Sequence, residues 1–424
     1  MKKIIITGLL SLFIFVLSAC QSEKLYTLNF LDYMDTFIQV QVSANSESKA
    51  KEHRENIDAI FSLYHDFSTA YEPLSLSSEY LENVYSINLK KDQKLEIDEE
   101  LYELLLYAEE LKEVTYGYFD ISIGKAVDVW KNTMDSVTDD FEIGEHVYVY
   151  YYYEGERIEE NKVDVYATGE VVFVSRDEED QNIVLSVSLD VNEEIITIDK
   201  NDVYRKEMPR AIYNDSIEKI NSLDFTENEI ILESENGKFY VTIQGDDIKL
   251  DLGALSKGYA TQKVYEYLFD QDMRFYSISS GTSSIIVGEN SKRSDEDYVY
   301  YISLANPYKL QFTDKATYGT IHVKNTSITT SGNYEQYVLY EGQRYHHIVS
   351  PFSKMPEQHY HTVTVLGADA GLLDALSTAF FSMSPDVMES WLEEYQDVYN
   401  IEIIRFNQDL SIDTYLKDTI FEEH

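Results

Sequence analysis

Apolar residues recur every three or four positions in several long segments of the chain, a spacing that predicts amphipathic helices. In residues 99–115, for example, Leu101, Leu104, Leu105 and Leu111 fall on one stripe. We assign these stripes to core packing and give them no functional weight. The spacing predicts helices over residues 49–66, 99–115, 256–270, 368–383 and 385–397.

Apolar and polar residues alternate in other segments, as they do in strands that bury one face. Val40 and Val42 flank Gln41 near the end of the segment 25–43. Together with the helices, these short strands predict an α+β fold in which a mainly antiparallel sheet is layered with helices. Further strands are predicted at 147–153, 171–174, 183–187, 230–232, 238–243, 248–252, 276–278, 284–287, 299–304, 362–366 and 401–406.

Residues 135–205 differ in composition from the rest of the chain. They contain the run Val-Tyr-Val-Tyr-Tyr-Tyr-Tyr at 147–153 and acidic turns such as the one at 176–180. Several short strands separated by such turns predict an inserted β-rich subdomain that is acidic and rich in tyrosine. The tyrosine run fits an ordinary strand with one solvated face, and a recognition surface is the alternative.

Composition and charge exclude several classes of protein. With 424 residues, 44% of them hydrophobic, the chain can bury one or two sizeable cores and is not a disordered protein. The 77 Asp and Glu residues against 34 Lys and Arg residues give a formal charge of −43, which repels phosphate backbones and argues against nucleic-acid binding. The single cysteine, Cys20, excludes an intramolecular disulfide framework, a cysteine-rich zinc site and an iron–sulfur cluster.

The N-terminus has the layout of an export signal, with Met-Lys-Lys followed by a largely apolar run at 4–17. This run is shorter than the roughly 20 residues that span a bilayer. The ending Leu-Ser-Ala-Cys at 17–20 resembles the lipobox of bacterial lipoproteins, in which the cysteine becomes the lipid-carrying N-terminus. We expect a signal peptide at 1–19, lipidation of Cys20, a tether at 20–24 and anchoring at the extracytoplasmic face of a bacterial cell membrane. An ordinary signal peptide that ends near a cysteine is the alternative.

A predicted strand, a turn of small residues and a helix follow one another at 248–270. Gly253 and Ala254 allow a close backbone approach, and the start of the helix offers free N–H groups to an anion. Lys257 adds a positive charge suited to phosphate. An ordinary capped helix after a strand explains the pattern equally well.

Asp374 and Thr378 lie four residues apart in the predicted helix 368–383, so their oxygen atoms project from one face. A carboxylate and a hydroxyl are hard oxygen ligands, suited to Mg²⁺ that is shared with a phosphate. The alternative is a packed helix in which Thr378 bonds back to its own carbonyl groups.

Two adjacent histidines, His346 and His347, precede Pro351. Adjacent residues of an extended segment face opposite ways, so one of them can enter a given site as a general base, and a metal-binding pair is not expected. A histidine with ordinary hydrogen bonds is the alternative. The hydroxyl-rich segment 327–335 upstream is predicted to be a turn.

The segment 117–124 reads as a turn from a helix into a strand. Within it, Phe119 offers a ring face and Asp120 a hydrogen-bond acceptor.

In their order and spacing these segments resemble the ApbE family, the FAD:protein FMN transferases. The resemblance covers nearly all of residues 25–410 apart from the insertion at about 135–205. It is carried by Tyr33-Met34-Asp35-Thr36, Gly117-Tyr118-Phe119-Asp120, the run Asp-Leu-Gly-Ala-Leu-Ser-Lys-Gly-Tyr-Ala at 251–260, Ser280-Gly281, Thr-Thr-Ser-Gly-Asn-Tyr-Glu at 329–335, Tyr345-His346-His347-Ile348 and Asp-Ala-Leu-Ser-Thr at 374–378.

The resemblance implies a reaction and a set of site residues. FAD is split at its pyrophosphate, the FMN half is esterified to a threonine or serine hydroxyl of an exported acceptor protein, and AMP leaves. By the same analogy Mg²⁺ is held by Asp374, Thr378 and the carbonyl of Ala254, and His347 takes the proton of the attacking hydroxyl. The residues that the analogy places around FAD are Met34, Phe119, Asp120, Asp251, Lys257 and Ile348.

The chain departs from the family pattern at two places. The family follows its His-His-Ile with Asp-Pro and a Lys/Arg-Thr-Gly turn, whereas this chain has Val-Ser-Pro-Phe-Ser-Lys at 349–354. The family's Ser-Leu-Gly-Gly-Asn turn is Ser-Ser-Gly-Thr-Ser at 279–283. A lipoprotein that binds or hydrolyses FAD without labelling an acceptor therefore stays an alternative, and a lipid-anchored adhesion module that uses the insertion is a third hypothesis.

Overall fold

The computed structural model describes residues 23–424 apart from 139, 151, 154, 155, 158, 161, 162, 165, 177–182 and 308–315. The predicted signal peptide and Cys20 lie outside these residues. In the described part of the chain, no helix combines the length and the apolar character needed to cross a bilayer.

All five predicted helices are present, each within two residues of its predicted ends, and three more were not predicted. The additional helices are α2, α4 and α5. The helices are α1 (Glu47–Ser68), α2 (Val84–Leu89), α3 (Glu99–Val114), α4 (Gly124–Ser136), α5 (Arg210–Ser222), α6 (Ser256–Asp270), α7 (Ala370–Ser382) and α8 (Pro385–Tyr399).

The strands confirm the predicted α+β class, and every ladder between them is antiparallel. In chain order they are β1 (Lys24–Tyr33), β2 (Thr36–Ala44), β3 (Leu95–Ile97), β4 (His146–Tyr150), β5 (Tyr152–Tyr153), β6 (Glu156–Arg157), β7 (Glu159–Glu160), β8 (Val163–Asp164), β9 (Tyr166–Arg176), β10 (Ile183–Leu189), β11 (Ile195–Asp199), β12 (Val203–Lys206), β13 (Glu229–Glu235), β14 (Lys238–Gln244), β15 (Tyr276–Ser280), β16 (Ser284–Val287), β17 (Tyr300–Ala305), β18 (Thr317–Val323), β19 (Thr326–Gly332), β20 (Tyr337–Tyr340), β21 (Gln343–His346), β22 (Tyr360–Gly367), β23 (Glu402–Asn407), β24 (Ile412–Tyr415) and β25 (Ile420–Glu423).

The largest sheet has eight strands in the order β1-β2-β15-β16-β19-β22-β23-β24. Successive side chains of its central strands enter different cores, as the period of two requires. Val365 packs into the core shared with helices α1, α6 and α7, whereas its neighbour Leu366 packs against the small sheet β17-β18-β25. Ile403 and Ile404 divide in the same way. The main sheet therefore lies between a helical layer and a second, smaller sheet.

The predicted β-rich insertion corresponds to a separate five-stranded sheet with the order β11-β10-β9-β4-β12. This inserted sheet, His146–Lys206, has a core of its own that includes Val147, Val171, Leu185 and Val187. The inserted sheet lies between α4 and α5 in the sequence, so the chain leaves the main domain after α4 and re-enters it just before α5.

The strand predicted at 248–252 is wrong, because this segment forms only one isolated bridge, between Lys249 and Ile123. One edge of the segment meets the backbone of residues 121–124, and on the other edge the Asn88 side chain bonds Leu250 in place of a second strand. Its Oδ1 accepts the Leu250 N–H at 2.7 Å and its Nδ2 donates to the Leu250 carbonyl at 2.9 Å. A side-chain partner so distant in sequence gives no local signal.

Two further predictions are wrong in part: the segment 117–124 does turn but is not followed by a strand, and the segment 327–335 is not mainly a turn. The segment 117–124 leads into helix α4 rather than into a strand, because Gly124 N–H donates to the Lys249 carbonyl at 2.8 Å and the chain then turns helical. The hydroxyl-rich segment 327–335 is mostly strand β19, since its β-branched residues pair on both sides, with β16 and with β22.

Candidate active site

A cleft of about 400 Å³ opens beside the N-terminal end of α6 and one face of α7. Every residue predicted for catalysis, flavin binding or metal binding lines it. The cleft thus brings together segments that are up to 344 positions apart in sequence (378 − 34). Those residues are Met34, Phe119, Asp120, Asp251, Ala254, Lys257, His347, Ile348, Asp374 and Thr378.

Helices α6 and α7 approach each other closely at Gly258, because this residue has no side chain. A Cβ atom there would lie 2.3 Å from the Ala370 carbonyl oxygen and 2.6 Å from the Asp374 Cβ. The close approach lets Gly258 N–H donate to Asp374 Oδ2 at 2.8 Å, while Ser284 Oγ donates to Asp374 Oδ1 at 3.2 Å. The α7 carboxylate is thereby fixed against the first turn of α6.

The Asp374 carboxylate is only 6% exposed. Burial raises its pKa, against the opposing effects of the Lys257 charge and of the hydrogen bonds from Gly258 and Ser284. A carboxylate whose ionised form is disfavoured by burial gains stability from a nearby cation.

Two further oxygen atoms have no hydrogen-bond donor among the described residues. The Gly258 N–H, four residues after Ala254, is taken up by Asp374, and no other described N–H reaches the Ala254 carbonyl. Thr378 does not bond back to its own helix, whereas Thr133 and Thr261 do, at 2.7 and 2.6 Å. The alternative predicted for Thr378 is therefore not what the structure shows.

One carboxylate, one hydroxyl and one carbonyl form a hard-oxygen donor set on the cleft wall, which fits Mg²⁺. Among the described residues, no group of three or more His, Cys, Asp and Glu side chains could hold a metal ion. The proposed donor set is not such a group, because Asp374 is its only member with a His, Cys, Asp or Glu side chain.

The turn before α6 is held by Asp251 and Lys257. Asp251 Oδ1 accepts the Gly253 N–H at 2.7 Å, and Lys257 Nζ donates to the Gly253 carbonyl at 3.1 Å. Lys257 also lines the cleft, so its ammonium group is available to an anion that enters there.

Lys131, a cleft residue on α4, was not predicted. Its Nζ lies 3.3 Å from Asp251 Oδ2 and donates to the Tyr71 hydroxyl at 2.9 Å. Burial alone would lower the pKa of Lys131, but the charge of Asp251 and the Tyr71 hydroxyl outweigh it, so the pKa is raised and the ammonium stays charged. A helix predicted at 124–136 would have indicated Lys131, because residues four apart share one face of a helix. Ile123, Val127 and Lys131 have this spacing, and all three line the cleft.

The two adjacent histidines face different environments, as predicted. His346 is fully buried, its Nε2 lies 3.0 Å from the Glu357 carbonyl, and burial lowers its pKa to about 3. His347 lines the cleft, and burial lowers its pKa to about 4, with the charges of Lys257 and Lys131 acting in the same direction. At neutral pH the His347 imidazole is therefore uncharged and can accept a proton.

The hydrogen-bond partner of the His347 ring is a backbone carbonyl. Nδ1 of His347 lies 3.5 Å from the Gln336 carbonyl, which leaves Nε2 as the proton-accepting nitrogen. Ser350, at the position of the aspartate in the resembled motif, closes the following turn through its backbone: its N–H donates to Met355 and its carbonyl accepts from Lys354. Lys354 has φ +59°, the left-handed conformation that suits the glycine of the resembled turn.

The remaining predicted flavin contacts differ in exposure. Met34 occupies a two-residue turn with φ +52°, and its N–H donates to His65 Nδ1 at 3.1 Å. Asp120 pairs with Lys112 at 2.8 Å. Phe119 lines the cleft but is only 2% exposed, so little of the ring that was predicted to offer a face is open to it.

We expect Gly258→Ala to separate the two helices and to abolish the Asp374 contact. Overpacking of this kind lowers the free energy of unfolding by about 1–3 kcal/mol. Gly237→Ala is the matched control, because Gly237 has φ +75° and no neighbour within 4 Å, so it costs stability without touching the cleft. Urea unfolding and metal-dependent thermal shifts measure the two effects. A Gly258→Ala protein with parental stability and metal response would contradict the packing argument.

A sequence model of the ApbE family matches residues 34–170 and 201–401. The interval between the matches, 171–200, lies inside the inserted sheet and is narrower than the insertion predicted at about 135–205. Among curated relatives, the FAD:protein FMN transferase of Klebsiella pneumoniae (strain 342) is 29% identical over 184 residues, 43% of this chain and 53% of the relative. That of Buchnera aphidicola subsp. Schizaphis graminum is 28% identical over 151 residues, 35% and 42% of the two chains. The chain thus spans about half the length of the curated relatives it matches.

Solved structures show the same fold over nearly the whole chain. The ApbE protein of Thermotoga maritima superposes with a TM-score of 0.60 at 19% identity, covering 92% of this chain and 97% of the other. The flavin transferase ApbE of Vibrio cholerae gives 0.58 at 16% identity, with 94% and 98% covered. With a family model that accounts for most of its residues, this chain belongs to the ApbE family.

Proposed function

We propose that this protein is a Mg²⁺-dependent FAD:protein FMN transferase that esterifies FMN to a threonine or serine hydroxyl of an exported acceptor protein and releases AMP. The observation that carries the proposal is the contact between Asp374 and Gly258, which sets a buried carboxylate beside the lysine-bearing turn in the cleft that also holds His347. The names of the curated relatives support it.

The reaction is an in-line phosphoryl transfer, for which the protein supplies position and charge rather than covalent chemistry. The acceptor hydroxyl oxygen bonds to the phosphorus of the FMN half while the bond from that phosphorus to the bridging oxygen breaks. AMP leaves with the electron pair of that bond. The neutral His347 takes the hydroxyl proton on Nε2, and its ring is held by the Gln336 carbonyl.

In this proposal, different cleft residues contact different parts of FAD. Lys257 and Lys131 direct positive charge at the pyrophosphate, and Asp251 contacts both Lys131 and the turn before α6. Bound Mg²⁺ would supply charge neutralisation at the phosphate oxygens, with Asp374, Thr378 and the Ala254 carbonyl as its protein ligands. Met34, Phe119, Asp120 and Ile348 complete the FAD site in this proposal.

We further propose that the protein works outside the cytoplasm as a lipoprotein. The support is the export signal at 1–19 and Cys20, the single cysteine, at the end of a lipobox-like segment. Lipid at Cys20 would hold the acidic domain at the membrane surface, close to exported acceptors.

The proposal is tested with the purified chain from residue 20 onward, FAD, Mg²⁺ and an acceptor that carries the flavinylation serine or threonine. We expect acid-stable flavin fluorescence on the acceptor and one AMP per flavin transferred. Omitting Mg²⁺ or the acceptor hydroxyl, through a Thr→Val acceptor, is the matched control. Flavin transfer without AMP, or no transfer at all, would refute the proposed reaction.

A second candidate, an FAD-binding or FAD-hydrolysing lipoprotein, is favoured by one observation, the serine at position 350 in place of the family's aspartate. It predicts FMN and AMP in solution with an unlabelled acceptor. The same assay separates the two candidates by the location of the flavin.

We expect Lys131→Met to raise the KM for FAD by about tenfold or more, because it removes a charge-assisted contact worth about 1.5–3 kcal/mol. Lys125→Met is the matched control on the same helix, since Lys125 bonds Asp247 at 2.7 Å and does not line the cleft. Steady-state kinetics with varied FAD measures both variants. An equal KM for the two variants would remove Lys131 from the site.

A further inference from the structure

The hairpin β20–β21 carries the proposed base at its end, because His347 directly follows β21. This hairpin is a two-stranded sheet of its own and shares no ladder with the eight-stranded sheet. Its position is therefore set by side chains and isolated backbone contacts rather than by a continuous ladder of hydrogen bonds.

One set of contacts comes from the main domain. Trp130 of α4 stacks on Tyr345 with ring centroids 5.3 Å apart, and Tyr213 of α5 stacks on Tyr340 at 4.1 Å. These rings fix one side of the hairpin against the helices.

A second set of contacts comes from the inserted sheet and the two residues that follow it. The Tyr148 hydroxyl accepts the Gly342 N–H at 2.7 Å, Glu207 Oε1 accepts the Glu341 N–H at 2.7 Å, and Met208 N–H donates to the Leu339 carbonyl at 2.7 Å. The turn of the hairpin is thus hydrogen-bonded to the insertion.

Tyr204 of β12 extends this connection to the cleft wall. Its hydroxyl bonds the Tyr337 hydroxyl and accepts from Arg344 Nη2 at 3.1 Å. Nη1 of the same arginine donates to Asn333 Oδ1 at 2.9 Å. Asn333 lies between Gly332 and Tyr334, which both line the cleft, so a chain of contacts runs from the insertion to the site.

We propose that the inserted sheet is a positioning element for the base: through Tyr204 and Tyr148 it fixes the β20–β21 hairpin and hence the place of His347 in the cleft. The proposal rests on the proposed function, since it gives His347 the role of base. A displacement of about 1 Å in a reacting group can cost on the order of a hundredfold in rate. The insertion is then part of the transfer machinery rather than an independent adhesion module.

The test compares Tyr204→Phe with Thr197→Val. Tyr204→Phe removes one hydroxyl and keeps the ring in its cluster with Tyr148, Tyr337 and Leu339. Thr197→Val is the matched control, because it removes a hydroxyl on β11, at the opposite edge of the same sheet. We expect Tyr204→Phe to lower kcat for transfer by about tenfold, with the KM for FAD within about twofold of the parent. The control should match the parent in both.

A double variant separates positioning from general loosening of the structure. If Tyr204 acts through His347, adding Tyr204→Phe to a His347→Gln protein causes no further loss of transfer. A full additional tenfold loss in that background, or a Tyr204→Phe protein with parental kcat, would overturn the proposal.

Amide hydrogen exchange gives a readout that does not depend on activity. We expect faster exchange over residues 337–347 in Tyr204→Phe and parental exchange there in Thr197→Val. Unchanged exchange in Tyr204→Phe contradicts the inference whatever the activity is. A parent protein that transfers no FMN, by contrast, refutes the proposed function and leaves the exchange result to decide the structural claim.

Discussion

Replacing Asp374 with asparagine is expected to lower FMN transfer by about a hundredfold to a thousandfold, the range seen when one preorganised electrostatic contact to a reacting group is removed. Asparagine keeps the size of the side chain and an oxygen that accepts the Gly258 N–H, so the packing of α6 on α7 is retained. What is lost is the negative charge, the only formal charge in the proposed metal donor set.

The control for this substitution is Asp386→Asn, an exposed carboxylate in the first turn of α8. Both proteins should unfold at the same denaturant concentration as the parent. Only Asp374→Asn should lose the rise in melting temperature that Mg²⁺ gives in the presence of FAD. Transfer at the parental rate by Asp374→Asn would show that the metal assignment is wrong.

Replacing His347 with glutamine is expected to lower kcat by about 10²–10⁴, the usual contribution of a general base, with little change in the KM for FAD. Glutamine retains a hydrogen-bond donor for the Gln336 carbonyl but cannot take up the hydroxyl proton at neutral pH. His359→Gln is the control, since this histidine lies outside the cleft lining. A His347→Gln protein with more than about half of the parental kcat would exclude His347 as the base.

The pH dependence follows from the same residue. Burial lowers the pKa of His347 to about 4, so the unprotonated form that accepts a proton persists well below neutral pH. The acidic limb of kcat/KM is therefore expected to fall only as the pH approaches 4, not near 6.5 where an exposed histidine titrates. His347→Gln should lose this limb. A parental limb centred near 6.5 would contradict the buried environment of the ring.

Helices and strands whose apolar residues recur at regular spacing could be predicted from the sequence. Helices such as α3 and α6 have regular apolar stripes, and the alternating strands β15, β16, β22 and β23 are present where they were predicted. The site could be predicted because its parts are short motifs whose chemistry is local: a carboxylate and a hydroxyl one turn apart, a lysine after a small-residue turn, and adjacent histidines. Their meeting in one cleft is a property of the fold that single motifs do not carry.

What the sequence did not reveal depends on contacts between distant residues. One edge of the segment 248–252 is hydrogen-bonded to the side chain of Asn88, more than 150 positions away. The partner of the His347 ring is the carbonyl of Gln336, and backbone groups leave no trace in residue identity. Lys131 was overlooked because no helix was predicted at 124–136, so the face that it shares with Ile123 and Val127 was not recognised.

The insertion shows the same limit on a larger scale. Its composition predicted strands correctly, but its relation to the site depends on the hydroxyls of Tyr148 and Tyr204, two among 36 tyrosines. Only the fold distinguishes these two from the other tyrosines of the chain.

Mass spectrometry of exported proteins from cells with and without this gene shows whether the chain moves FMN from FAD onto another exported protein. We expect at least one serine- or threonine-containing peptide that carries an added FMN mass only when the gene is present, and that loses this mass when the gene encodes Asp374→Asn. Identical sets of flavin-modified peptides in the two strains would contradict this expectation.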